Sequence, residues 1–143
     1  MTEVLQNDEY ERRFAGVAKI YGDDSFNHYE HSHVMVIGIG GVGSWAVEAL
    51  ARTGLGELTL VDMDVIAASN INRQLPAMTT TLGHEKIEVM AERCRAINPR
   101  IKINLIDDYL TADNIQDVLA NTPDLILDCI DDVKAKFALM LHC

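Results

Sequence analysis

The feature that most constrains this chain is a glycine-rich turn set between a short apolar strand and an Ala-rich helix. Val34–Ile37 is an apolar run of strand length, Gly38-Ile39-Gly40-Gly41-Val42-Gly43 follows at once, and Ser44–Arg52 reads as a helix ended by Gly54. G-x-G-x-x-G is a weak pattern by itself. Here it follows a strand, opens a helix and has Asp62, at the end of a second strand Leu58–Val61, about 20 residues on. Glycines at such a turn let backbone N–H groups at a helix N-terminus reach phosphate oxygens with no Cβ in the way. The alternative is a tight turn with no ligand.

The rest of the chain keeps the same alternation of strand-length apolar runs and segments of helical period. A helix is expected over Glu85–Ile97, stopped by Asn98-Pro99, then a strand over Ile101–Ile106. A helix over Ala112–Leu119, capped by Thr111 or Asp113, precedes a fourth strand over Leu125–Leu127, and a last helix starts at Lys134. This is the pattern of βαβ units. It predicts an α/β fold, Rossmann-like and three-layered, with a mostly parallel sheet in the order 3-2-1-4. Residues 1–32 form an N-terminal helical arm and residues 33–143 the nucleotide-binding domain. The last helix carries Phe137–Leu141 with no polar stop, and a domain truncated at its C-terminal end is the expectation.

The 143 residues suit a single domain, and 48% hydrophobic content is enough for one packed core. With 22 acidic against 12 basic residues the formal charge is -10, so the average surface repels polyanions, and nucleic acid would need a local basic patch or a partner chain. Apolar runs are far shorter than the roughly 20 residues that span a bilayer. The polar, acidic N-terminus has no signal-peptide layout, and Cys94, Cys129 and Cys143 form neither a C-x-x-C pair nor an even framework. A cytoplasmic location follows. His28, His31, His33 and His84 show no ligand spacing, and Trp45, Met35, Met63 and Met90 are read as packing.

Several polar residues fall where a nucleotide would lie. Asp62 suits ribose hydroxyls, and Asp64 the same task or the water shell of a metal. Between the second strand and the next helix, residues 65–83 form a connection longer than a dinucleotide fold needs. It carries Asn70, Arg73 and Gln74, and Lys86 follows at the start of the helix. A planar guanidinium fork, two neutral amides and an ammonium describe a triphosphate clamp. Asp131 and Asp128 follow the fourth strand, which the 3-2-1-4 order places beside the glycine turn. Two carboxylates facing phosphates need an intervening cation, which assigns Asp131, with Asp128, to Mg²⁺. Asp128 has a second reading, as the N-cap of the last helix.

At this point the sequence resembles the E1-like activating enzymes, the family that includes the ThiF, MoeB and HesA proteins. The resemblance is carried by GIGGVG, LVDMD at 60–64, SNINRQ at 69–74, Lys86 within GHEKIEVM, INP at 97–99 and LDCIDD at 127–132. It implies adenylation of a carboxylate with MgATP. By position, Gly41 would contact ATP, Asp62 hold the ribose, Asn70, Arg73 and Lys86 contact phosphates, and Asp131 bind Mg²⁺. RRFAGVAKIYG and GVGSWAVEALARTGLGELTLVDMD resemble the branch of tRNA threonylcarbamoyladenosine dehydratases, which implies tRNA as substrate. A homodimer is implied too, and a sulfur-transfer partner protein is the alternative. Some relatives carry a second arginine in the arm that reaches across the dimer. Gly16 stands there in this chain, leaving Arg13 as the candidate for that role.

Two other classes compete. The glycine turn and Asp62 also fit an NAD-dependent oxidoreductase, against which the 65–83 insertion argues. A non-enzymatic binding or dimerisation module would keep the fold and do its chemistry elsewhere.

Overall fold

The computed structural model of the chain describes the backbone of residues 3–143 and the side chains of residues 9–143; the first two residues of the expected arm lie outside the described residues. Four strands, β1 (His33–Ile37), β2 (Glu57–Val61), β3 (Lys102–Ile106) and β4 (Leu125–Asp128), pair in parallel in the order β3-β2-β1-β4. That is the expected 3-2-1-4 order. The register sets Ile37 opposite both Val61 and Asp128, so Gly38, Asp62 and Cys129 leave adjacent strand ends together. β1 is flanked by β2 on one side and by β4 on the other. The glycine turn therefore opens at the reversal of strand order, where ligands bind in open α/β sheets.

Period-2 alternation along the strands divides the core into two halves. Val34, Val36, Leu58 and Leu60 face α3 (Gly43–Arg52) and α4 (Lys86–Ile97), meeting Val47, Ala51, Ile87, Met90 and Cys94. Met35, Ile37 and Val61 face the other way, toward α5 (Ile115–Val118) and α6 (Val133–His142), through Ile115, Val118 and Leu139. Helices on both faces of a parallel sheet make the three layers.

The arm is two helices, α1 (Glu3–Tyr21) and α2 (Asp23–Glu30), broken at Gly22, whose φ of 87° is the left-handed region that glycine enters freely. Phe14 is 2% exposed and stacks on Phe26 at 6.2 Å between centroids. Arg13 donates to the carbonyls of Ala96 and Ile97 at the end of α4, at 3.2 and 3.1 Å, and pairs with Glu9. Arg13, the candidate for a dimer-crossing role, thus ties the arm to the end of α4.

Several boundaries differ from expectation. Ala112–Leu119 is only the single turn Ile115–Val118, because Thr111 and Asn114 bond each other through backbone N–H and side chains and hold a turn first. The N-cap of α6 is Asp132, which accepts from Ala135, rather than Asp128. Trp45 and Met63 are 54% and 49% exposed, so of the expected packing residues only Met35 and Met90 are core. No helix among the described residues is long and apolar enough to cross a membrane.

Candidate nucleotide-binding site

The glycines of the turn fall into two pairs with different physical reasons. At Gly43 a Cβ would stand 1.7 Å from the Gly38 carbonyl oxygen. Gly38 has a φ of +91°, and its Cβ would stand 2.7 Å from the Cys129 oxygen. The protein itself requires these two. A Cβ on Gly40 would meet nothing closer than the Gln74 amide nitrogen at 3.7 Å, and one on Gly41 only the Arg73 stem at 3.4 Å. Those are ordinary contacts, and neither residue has positive φ. Packing within the protein does not require glycine at either position. No side chain caps the N-terminus of α3, which opens here.

The segment 69–75 is fastened over this turn. The Ser44 hydroxyl donates to the Gly40 carbonyl and accepts the Leu75 N–H at 3.2 Å, while the Trp45 indole donates to the Arg73 carbonyl at 3.0 Å. The exposed Trp45 ring therefore does positional work. Arg73 Nη1 bonds the Ser69 carbonyl at 2.9 Å and Asn72 Oδ1 at 3.0 Å, and the side chain lies along Gly41. Asn70 Oδ1 accepts the Ala67 N–H at 2.9 Å, so the carbonyl half of its amide shapes the turn. Gln74 is 7% exposed, and its Oε1 is buried with no hydrogen-bond partner in the protein. An orphaned buried acceptor is costly and marks a place where a partner is absent. The two amide atoms can exchange places by a flip, so either a donor or an acceptor can be presented.

On the other side of the turn a cavity of about 500 Å³ is lined by Gly38, Asp62, Asp64, Tyr109 and Asp131, among others. Asp62 is 8% exposed and bridges the turn to the next segment, accepting the Ile39 N–H at 2.7 Å on Oδ2 and the Asp64 N–H at 2.8 Å on Oδ1. Each oxygen keeps a second lone pair for a ligand. Lys86 pairs with Asp64 at 2.9 Å, and the Tyr109 hydroxyl donates to the other Asp64 oxygen. The tyrosine hydroxyl, with the ammonium beside it, holds the Asp64 carboxyl below the usual carboxylate range. The negative carboxylate in turn raises the phenol.

The expected residues thus divide around the turn. Asp62, Asp64 and Asp131 stand at the cavity with Gly38, and Arg73 and Gln74 lie against Gly40 and Gly41. Asp128 stands elsewhere, bound to Lys136 at 3.0 Å and to the Ile130 N–H at 3.1 Å. Sequence reasoning missed Tyr109, an aromatic in a loop with no periodic signal. The described residues hold no cluster of three or more His, Cys, Asp or Glu side chains that could bind a metal unaided.

Residues 10–143 match the ThiF family. The chain belongs to that family. Among its relatives, the tRNA threonylcarbamoyladenosine dehydratase of Haemophilus influenzae is 51% identical over 143 residues, all of this chain and 55% of that protein. The molybdopterin-synthase adenylyltransferase of Salmonella typhimurium is 36% identical over 112 residues, covering 78% of this chain and 45% of that protein. The crystal structure of the Escherichia coli tRNA N6-threonylcarbamoyladenosine dehydratase in complex with ATP superposes with a TM-score of 0.93 at 45% identity, covering 95% of this chain and 56% of that one. The chain spans about half the length of the dehydratases it matches. Its ThiF-family fold agrees with the sheet order and glycine turn described above.

Proposed function

We propose that the protein containing this chain adenylates a substrate carboxylate with ATP, and that the carboxylate is that of N6-threonylcarbamoyladenosine in tRNA. The observation that carries the reading is the pairing of unexplained bareness at Gly40 and Gly41 with Arg73 and the orphaned Gln74 amide laid against them. The tRNA substrate rests on the identity to the dehydratases. Asp62 would hold ribose hydroxyls through its remaining lone pairs. Arg73 and Lys86 would neutralise phosphate charge as it shifts toward pyrophosphate, while Gln74 and Asn70 orient the chain of phosphates.

The donor set fits Mg²⁺ and does not suit a metal caged by protein alone. Asp131 lines the cavity, and a single carboxylate completed by phosphate oxygens and water is the habit of magnesium. Asp131 would hold the ion, which when bound screens the phosphates from the surrounding carboxylates. Asp128, engaged by Lys136, is a weaker second ligand. After activation a nucleophile within the threonylcarbamoyl group would attack the adenylated carboxyl carbon, closing a ring as AMP leaves, so that no enzyme thioester is needed. Within this chain, burial pushes Cys94 up to about 12 and raises Cys129, so neither of these two thiols is poised as a nucleophile.

The protein would work in the cytoplasm as a homodimer, with basic surface for tRNA supplied outside this acidic chain. The second reading, adenylation of a sulfur-carrier protein, is favoured only by the 36% identity to the adenylyltransferase. ATP–pyrophosphate exchange by the full-length protein, with threonylcarbamoyladenosine tRNA or a sulfur-carrier protein as acceptor, separates the two. Exchange driven by the tRNA and lost in Arg73→Ala and Asp131→Ala is expected; near-normal exchange in both variants overturns the assignment.

A further inference from the structure

From the geometry around Lys86 we infer that Asp64 is a positioning residue for that lysine. The inference rests on the nucleotide reading given above. Lys86 is the first residue of α4, and its side chain is only 5% exposed. A cation there stands at the positive end of a helix dipole and out of water, two costs that a lysine chosen for stability would avoid. Asp64 meets both. Its carbonyl accepts the Lys86 backbone N–H at 3.1 Å, and its Oδ2 accepts the ammonium at 2.9 Å. One residue therefore grips the first residue of α4 by main chain and side chain.

The grip is itself fixed in place. The Asp64 N–H is tied to Asp62, and an antiparallel bridge between Val65 and Glu85 holds the two segments together. The Tyr109 hydroxyl occupies the other carboxylate oxygen, leaving Oδ2 for the lysine. Tyr109 belongs to a loop braced by Asn114, whose amide donates to the Tyr109 carbonyl at 2.8 Å and to Asp108 at 3.1 Å. Asp64 thus has its backbone N–H, its carbonyl and both carboxylate oxygens committed within the protein.

The test is a double-mutant cycle on the full-length protein, with titration of MgATP and, separately, AMP. Asp64→Asn is expected to weaken MgATP about 10-fold, the scale of one charged hydrogen bond, while AMP stays within about 2-fold. In the Lys86→Ala background, Asp64→Asn adds nothing further, because residues acting as one unit are not additive. Asp64→Glu, which keeps the charge, recovers part of the loss and covers the case in which the amide variant fails to fold. Tyr109→Phe changes MgATP binding less than Asp64→Asn does. Equal loss of AMP and MgATP in Asp64→Asn, additivity with Lys86→Ala, or tighter MgATP binding would each overturn the inference. If Lys86→Ala and Arg73→Ala both bind MgATP normally, the nucleotide reading itself has failed.

Discussion

The two sides of the candidate site are built by different means. Gly38, Gly43 and Asp62 form a side made of backbone, in which a carbonyl 1.7 Å from a hypothetical Cβ and an N–H 2.7 Å from a carboxylate leave no room for adjustment. Arg73, Gln74 and Lys86 form a side made of side chains, delivered by residues 65–86 and held through side-chain bonds such as Trp45 to the Arg73 carbonyl and Asp64 to Lys86. The first side is part of the fold. The second is an attachment to it, and the difference teaches that mutations should separate stability from ligand affinity along this line.

The largest effect should come from Gly43→Ala. Its methyl cannot coexist with the Gly38 carbonyl, and overpacking of this severity costs more than about 3 kcal/mol, which thermal unfolding of the chain would register as a large fall in Tm. By contrast Gly41→Ala should leave Tm nearly unchanged and weaken MgATP. If both alanine variants fold alike, the division of the glycines is broken.

Arg73→Ala comes next and sharpens the comparison from the other side. Its guanidinium bonds only the Ser69 carbonyl and Asn72 within its own loop, so stability should change by less than about 1 kcal/mol. Affinity for MgATP should fall roughly 10-fold or more, read by calorimetric titration.

A smaller effect is expected behind the turn, on α3. Glu48, 9% exposed, accepts from Arg93 at 2.6 and 2.9 Å and from Arg52 at 2.9 Å. The Arg93 guanidinium above all, helped by Arg52, holds its carboxyl below the ordinary range. A depressed folded-state pKa gives stability that is present above the unfolded value near pH ~4.3 and lost as pH falls through the folded one. Glu48→Gln should therefore lower Tm at neutral pH, by the equivalent of about 2 kcal/mol, and the gap to the wild type should close in acid. A constant gap at every pH would contradict the ion-pair account. The smallest effect belongs to Arg13→Ala, about 1 kcal/mol or less, because that side chain is 36% exposed.

Legibility in the sequence follows the same division. The sheet order and the glycine turn could be read because short apolar runs and glycines are local signals. The end of the first arm helix at Gly22 was legible from the glycine, whereas the single turn of α5 was not, since it depends on the bonds between Thr111 and Asn114. Asp62 was found by its distance from the turn, but its bond to the Ile39 N–H needed coordinates. Tyr109 and the Glu48 pair with Arg93 were invisible, because what defines them is contact across 45 residues of chain, between Tyr109 and Asp64 and between Arg93 and Glu48.

A crystal structure of the full-length protein with MgATP tests the central claim most directly. Phosphate oxygens within hydrogen-bond reach of the backbone at Gly40 and Gly41, with Arg73 and Lys86 directed at them, are the predicted result. A nucleotide bound away from that backbone, with Arg73 and Lys86 both out of reach of its phosphates, would contradict it.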